Sequence, residues 1–320
     1  MASHDTIHFV LRPNKNVERK LIADVLTSLS PHFAIHKYRY IGMGSFWFAD
    51  FLLFHKLLLI EDMISIERTD YADRAEFNRP LRCIRVEAGD TSKVLPDLDL
   101  SARESIIWLD YDSDLRGPVL QDCRIVCGEA KGGSVFLVTL GAHVNQIRNQ
   151  KDQADRQLEP LAALKFLAPD LVPAGIEPSA LSLSRFPKTL ADILIGHMHH
   201  CTRKANPDKR FIPLFKFLYR DNAPMVTVGG MIVEGDAEKL LDQCRLREKF
   251  EYVTGEREFE ISVPPLTVKE KIALDQLLPH AQDLRLDDAT QKLGFELTEQ
   301  QLRAYQKFYR QYPLFGEMQL

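Results

Sequence analysis

Apolar positions along the chain alternate between short runs and longer helical stripes, the order expected of a layered α/β protein. Val17, Leu21, Ile22, Val25, Leu26 and Leu29 recur at helical spacing and predict a helix over 16–29, capped by Asn14 or Asn16. A short strand is expected before it, at 7–11. The next apolar run ends in Gly42-Met-Gly44-Ser45 and predicts a strand. The stretch 46–60 is apolar on most faces, so it predicts a helix buried between layers. Met63, Ile64 and Ile66 then lead into Glu67, a second strand closing on an acid. Third, fourth and fifth strand candidates lie at 81–86, 105–109 and 133–140. They are followed by Ala88-Gly-Asp90, Asp110-Tyr-Asp112 and Gly141-Ala-His143, each a small or polar cluster.

Two runs rich in aromatic and β-branched residues, 211–219 and 225–233, flank Asp221-Asn222 and predict a β-hairpin. Gly229-Gly230 marks an expected bulge. A helix over 236–252, a short strand over 259–263 and helices over 267–278 and 298–312 follow, with Thr298 and Gln301 spaced as a capping box. The expected organisation is a lead-in at 1–34, an α/β domain at 35–255 and a small helical appendage at 256–320. An insertion at 141–210, with helices at 149–168 and 190–201, interrupts the domain. Long connections in compact domains are commonly lids or recognition elements, so substrate selection is assigned there. The appendage suits docking on the domain, homo-oligomerisation or a protein partner.

Composition narrows the function classes. A chain of 320 residues with 45% hydrophobic and 27% charged residues can bury a sizeable core. A net charge of −4 provides no global basic field for nucleic acid, which leaves only a local patch. Asp50, His55 and Lys56 interrupt the 46–60 run, so it is not read as a membrane span. Polar first residues, including His4 and Asp5, predict no cleavable leader. Five scattered cysteines fit a reduced, cytoplasmic compartment.

The strand–glycine turn–helix–strand–acid order has the physical logic of nucleotide binding. Glycines allow close approach of a ligand, the helix amide end favours polar or negative groups, and the acid can accept from ribose hydroxyls. Over residues 35–233 this order resembles the class I S-adenosylmethionine-dependent methyltransferases, and among them a little-characterised O-methyltransferase group. The resemblance implies a Rossmann-like seven-stranded sheet, mostly parallel with an antiparallel C-terminal hairpin and helices on both faces. It implies S-adenosyl-L-methionine as cofactor. Gly42, Gly44 and Ser45 would hold the methionine end, Glu67 the ribose and Asp90 the adenine. Asp110 matches the polar residue after the fourth strand, and Asp110 or Asp112 would orient or deprotonate the acceptor. The sequence departs from the usual acid-x-Gly-x-Gly-x-Gly loop: Tyr40 stands in place of the acid and Phe46 in place of the last glycine. Tyr111 and Asp112 stand where methyltransferases acting on exocyclic amines of bases carry prolines, which argues against that substrate class.

Several clusters keep more than one reading. Asp90 also suits a helix N-cap, a role compatible with ligand contact. Asp110-Tyr-Asp112-Ser-Asp114 reads as a helix cap with a solvated turn, as a general base, or as a divalent-metal site with Asn145. Arg12, Lys15, Arg19 and Lys20 read as a solvated helix start or as an anion-binding corner near the cofactor mouth. His197, His200 and Cys201 share a helix face, and Cys123 and Cys127 another. No standard zinc spacing joins them, so no metal is expected. The leading function is methyl transfer to an oxygen of an unidentified acceptor. The alternatives are a catalytically inactive binding or scaffold protein and a nicotinamide-dependent oxidoreductase, the latter disfavoured by the missing third glycine and the hairpin.

Overall fold

The structure is a computed structural model that describes residues 11–314 except 112, 114, 149, 151–155, 170, 174 and 281. Among the described residues eight strands form one sheet in the order β3-β2-β1-β4-β5-β7-β6-β8. The parallel half holds β1 (Arg39–Gly42), β2 (Asp62–Glu67), β3 (Ile84–Ala88), β4 (Ser105–Asp110) and β5 (Val135–Gly141). The hairpin β6 (Arg210–Arg220) and β7 (Pro224–Val233) adds through β7, antiparallel to β5. β8 (Phe259–Ile261) closes the far edge, parallel to β6. The helices are α1 (Pro13–Leu29), α2 (Ala49–Leu58), α3 (Ala72–Asn78), α4 (Thr91–Val94), α5 (Gly117–Glu129), α6 (Asn145–Arg148) and α7 (Pro160–Leu167). Then come α8 (Phe186–Ala205), α9 (Ala237–Gln243), α10 (Leu246–Lys249), α11 (Val268–Asp275), α12 (Leu286–Leu293) and α13 (Glu299–Phe308).

Side chains alternate across the sheet with period two, and both faces are covered. Tyr40, Met63, Trp108 and Leu137 pack under α1 and α2 in one core. Ile41, Ile64, Ile107, Leu109, Phe136 and Val138 pack under α5 and α8 in the other. Fully burying each such aliphatic or aromatic side chain contributes roughly 1.5–3 kcal/mol. The same alternation carries the α1 face onward to the carboxyl ends of the strands. Gly42 follows Tyr40, Glu67 follows Ser65, Asp110 follows Trp108 and Thr139 follows Leu137, each two residues on. One sheet face therefore ends in a row of polar groups under α1.

Seven strands were expected and eight are found. The segment assigned to the appendage, Phe259–Ile261, pairs with β6 at Phe217↔Phe259 and Tyr219↔Ile261. α1 begins earlier than predicted, with Pro13 in its first turn, where the missing N–H costs nothing. Neither asparagine caps it. Asn14 instead donates to the Arg220 carbonyl (2.8 Å) and accepts from Val263 N (2.9 Å), tying α1 to the hairpin and the tail. β3 falls at 84–88, after a turn closed by Ile84 N to Leu81 O. The 236–252 helix is divided in two at Arg245, whose φ is 49°. The hairpin ends within one residue of the sequence reading. Its register shift lies between Pro213 and Phe215, opposite Gly230 and Gly229. A Cβ on Gly230 would lie 2.1 Å from the Ile212 carbonyl oxygen, which explains the glycine.

α8 is longer than expected and packs on α5, β6 and β7. It is a layer of the fold, and from the part of the 141–210 stretch before Phe186, Ala163, Leu164, Ala168 and Leu181 join the same core. Of the helix expected at 149–168, Pro160–Leu167 is observed, and residues 149 and 151–155 lie outside the described residues, as do 7–10 of the expected first strand. α11, α12 and α13 enclose their own small core of Leu274, Leu284, Ala289, Leu302 and Tyr305. Thr298 and Gln301 make both bonds of the capping box at the start of α13.

Candidate active site

Strand order reverses between β1 and β4, because β1 is followed outward by β2 and β3 on one side and by β4 and β5 on the other. Open α/β sheets bind ligands in the crevice at such a point. The turn leaving β1 here is fixed by β2. Gly44 N donates to Ser65 Oγ at 2.8 Å, Ser45 N donates to Glu67 Oε1 at 2.8 Å, and Ser65 Oγ donates to the same Glu67 oxygen at 2.7 Å. Gly44 has no room for a side chain, since a Cβ would lie 2.5 Å from Phe48 Cδ1 and 2.8 Å from Ser65 Oγ. Ser45 and Phe48 take positive φ to close the turn ahead of α2. Burial raises the Glu67 carboxyl above its usual range, opposed by the hydrogen bonds from Ser65 and Ser45.

Beside the turn lies a buried ionic well built from α1 and the tip of β4. Lys15 Nζ is 2.8 Å from Asp110 Oδ2 and 2.8 Å from Glu18 Oε2, and the lysine side chain is wholly buried. The ammonium also lies 3.4 Å from Thr139 Oγ1 and 4.5 Å from the centre of the Trp108 ring. Trp108 Nε1 donates to Thr139 Oγ1 at 3.0 Å, and Thr139 meets Thr227 at 2.7 Å. Asp221 accepts from the Asn14 and Lys15 amides at 3.0 and 3.1 Å and faces Arg12 Nε at 3.5 Å, which seats the start of α1 on the hairpin turn. Burial opposes ionisation of Asp110, but Lys15 and then Arg12 outweigh it, so its carboxyl is held below the usual range. Glu18, fully enclosed, moves the other way: burial raises it despite Lys15.

Arg19, one turn beyond Lys15, is 7% exposed, and its Nε and Nη1 atoms are enclosed without a hydrogen-bond acceptor. Its charge acts on Asp50, Asp110 and Tyr40. Asp50, in the first turn of α2, accepts a hydrogen bond from the Tyr40 hydroxyl. Ser45 Oγ and the Tyr219 hydroxyl are also enclosed without a partner. Buried polar atoms are normally satisfied, so these exceptions make this end of the sheet the candidate ligand site.

The family described as "Putative O-methyltransferase" matches residues 7–320. The chain belongs to that family. No curated protein matches it. Solved structures that match include Trm1 from Pyrococcus horikoshii in complex with S-adenosyl-L-methionine. It is 10% identical, over 71% of this chain and 57% of that one, with a TM-score of 0.45. Human N-acetylserotonin methyltransferase in complex with SAM is 11% identical over 68% of this chain and 56% of that one, with a TM-score of 0.32. The YcgJ protein from Bacillus subtilis is 14% identical over 62% of this chain and 94% of that one, with a TM-score of 0.33. The chain spans a little over half the length of the first two.

In this family member the structure brings Gly42, Gly44, Ser45, Glu67 and Asp110 to one end of the sheet. Asp90 follows β3 beside them, since Gly89 N donates to the Glu67 carbonyl at 2.8 Å. It stands at the N-cap position of α4 without a side-chain cap bond, its carboxyl exposed and 3.5 Å from Lys93 Nζ. Asp112 lies outside the described residues. Arg68 pairs with Asp70 on the surface at 2.7 Å. Tyr111 donates to Asp122 of α5 at 2.5 Å, and Thr91 donates to the same carboxylate, which links the β4 tip to the start of α4. The histidine-rich face of α8 is used for packing: His197 Nε2 donates to the Leu120 carbonyl at 2.9 Å. No group of three His, Cys, Asp or Glu among the described residues is placed to hold a metal ion. No described helix is long and apolar enough to cross a membrane.

Glu18 and Asp50 have no site reading from sequence, and Lys15 and Arg19 enter only through the alternative of an anion-binding corner near the cofactor mouth. The available signal was periodic. Lys15, Glu18 and Arg19 stand at i, i+3 and i+4, and Ile22 continues the same face, so three charges occupy the stripe that α1 buries.

Proposed function

We propose that the protein is an S-adenosylmethionine-dependent methyltransferase directed to an oxygen acceptor. The observation that carries this reading is the Gly42–Ser45 turn at the switch point, hydrogen-bonded to Glu67 from the neighbouring strand. Family membership supports the same activity. The residues present suit the donor, because enclosed unpartnered atoms of Arg19 and Ser45 border the turn side and Asp110 borders the β4 side. When bound, the donor supplies an activated methyl group on a sulfonium centre.

Each residue then has a defined task. Glu67 accepts from ribose hydroxyls, Asp90 accepts from the adenine edge, and the tight glycine turn lets the backbone approach the ligand. Asp110, with about a quarter of its side chain open, accepts from the acceptor hydroxyl and fixes its line of approach. Lys15 keeps Asp110 ionised and in place. A carboxylate held so weakly basic orients a hydroxyl better than it deprotonates one. An acidic acceptor that keeps its hydroxyl proton near neutral pH, such as a phenol or an enol, is therefore favoured over an alcohol. The segment before Phe186 is assigned to acceptor selection, and α11–α13 to contacts with a second chain.

Glu67→Ala tests the assignment by calorimetric titration with S-adenosylmethionine. Saturable binding by the wild type, weakened at least tenfold in the variant, is expected from the loss of charged hydrogen bonds of about 1.5–3 kcal/mol. Equal affinities for the two proteins would overturn it.

A further inference from the structure

The loop that leaves β1 lacks the acid of the pattern it resembles, and its amides at Gly44 and Ser45 are already taken by Ser65 and Glu67. A ligand reaching this turn therefore finds neither the usual carboxylate on the strand nor these two backbone donors. The missing groups stand one layer away, on α1 and α2. Arg19 holds two enclosed guanidinium nitrogens with no acceptor, although such a group is costly to bury unpaired. Asp50 is a buried carboxylate that feels the Arg19 charge. The hydroxyl of Tyr40, at the position of the lost acid, points to Asp50 and fixes it.

An α-amino acid carries its ammonium and its carboxylate on one carbon, so its receptor must present an anion and a cation close together. We propose that Arg19 and Asp50 form a clamp for the amino-acid end of the bound donor, Arg19 taking the carboxylate and Asp50 the ammonium, with Tyr40 as the positioning residue for Asp50. The clamp rests on the donor reading above. It moves the motif's acidic function from β1 to the first turn of α2 and supplies the anion donor from α1. The guanidinium fork suits a carboxylate in bidentate geometry.

Titration calorimetry with three probes tests this. S-adenosylhomocysteine carries the whole amino acid, decarboxylated S-adenosylmethionine carries the amine alone, and 5′-methylthioadenosine carries neither. Wild type is expected to bind the first at least tenfold more tightly than the last. Arg19→Met should lose that preference for S-adenosylhomocysteine and bind the decarboxylated probe as wild type does. Asp50→Asn, nearly isosteric, should weaken both amine-bearing probes. Unchanged 5′-methylthioadenosine affinity in each variant shows that the fold and nucleoside pocket are intact. Arg19→Lys, which keeps the charge without the fork, should recover part of the loss. Wild type that binds S-adenosylhomocysteine and 5′-methylthioadenosine equally overturns the clamp and leaves the donor reading standing. Variants that keep the full preference also overturn it. Failure of wild type to bind any of the three overturns both.

Discussion

The Tyr40 hydroxyl donates a hydrogen bond to the Asp50 carboxylate in the core beneath the glycine turn. Both groups are enclosed, and burial, with the facing negative charge, pushes the Tyr40 phenol well above its usual range. Tyr40→Phe removes the donor and leaves the carboxylate. We expect a stability loss of about 1–3 kcal/mol in urea denaturation. An unchanged midpoint would contradict a structural role for the bond.

Gly44→Ala should open the turn. Its Cβ would meet Phe48 Cδ1 at 2.5 Å and Ser65 Oγ at 2.8 Å, and neither lies at the end of a flexible chain. Overpacking of this kind costs about 1–3 kcal/mol and is expected to abolish donor binding. Gly117→Ala is the matched control, because nothing lies within 4 Å of its added carbon. Equal thermal midpoints for the two variants would refute the packing argument.

Lys15→Met leaves Asp110 and Glu18 without their shared cation. Breaking a buried pair from one side costs about 3–5 kcal/mol, and that deficit is expected at neutral pH. The depressed Asp110 carboxyl contributes stability that is full above its ordinary value of 3.8 and is lost as pH falls through its lower folded value. The gap between wild type and variant should therefore narrow on acidification. A gap independent of pH would show that the lysine contributes only by its packing.

His197 gives a second handle of the same sign in a higher pH window. Burial lowers its pKa from 6.5 while its Nε2 contacts the Leu120 carbonyl. Below 6.5 the unfolded chain takes up a proton that the folded chain resists, so stability falls as pH drops from 6.5 toward the lower folded value. His197→Gln should flatten that slope in denaturation curves between pH 7 and the acid limb, about 5. A slope equal to wild type would place the titrating group elsewhere.

Much of the fold is legible in the sequence because the sheet is buried on both faces. Short apolar runs ending in Gly42, Glu67, Asp90 and Asp110 mark strand tips, and the Asp221-Asn222 turn sets the hairpin. What the pattern does not convey is which elements lie over those tips. Arg12, Lys15 and Arg19 read either as a solvated helix start or as an anion-binding corner until α1 is seen seated on the hairpin through Asn14 and Asp221. Asp50 is on paper only an interruption of the 46–60 apolar run, whereas in the structure it takes the Tyr40 hydrogen bond and feels the Arg19 charge. β8 is legible as a short strand at 259–263, but three paired residues carry too little pattern to show that it joins the main sheet. Tertiary placement turns these charges inward, and sequence spacing encodes it only as an interrupted apolar stripe.

The central claim is that the Gly42–Glu67 turn at the switch point binds an adenosyl methyl donor. Calorimetric titration of the wild-type protein with S-adenosylhomocysteine, with NADH as control, tests it most directly. Saturable one-site binding of S-adenosylhomocysteine without binding of NADH is the predicted result. A folded protein that binds neither, or that binds NADH alone, would contradict the account.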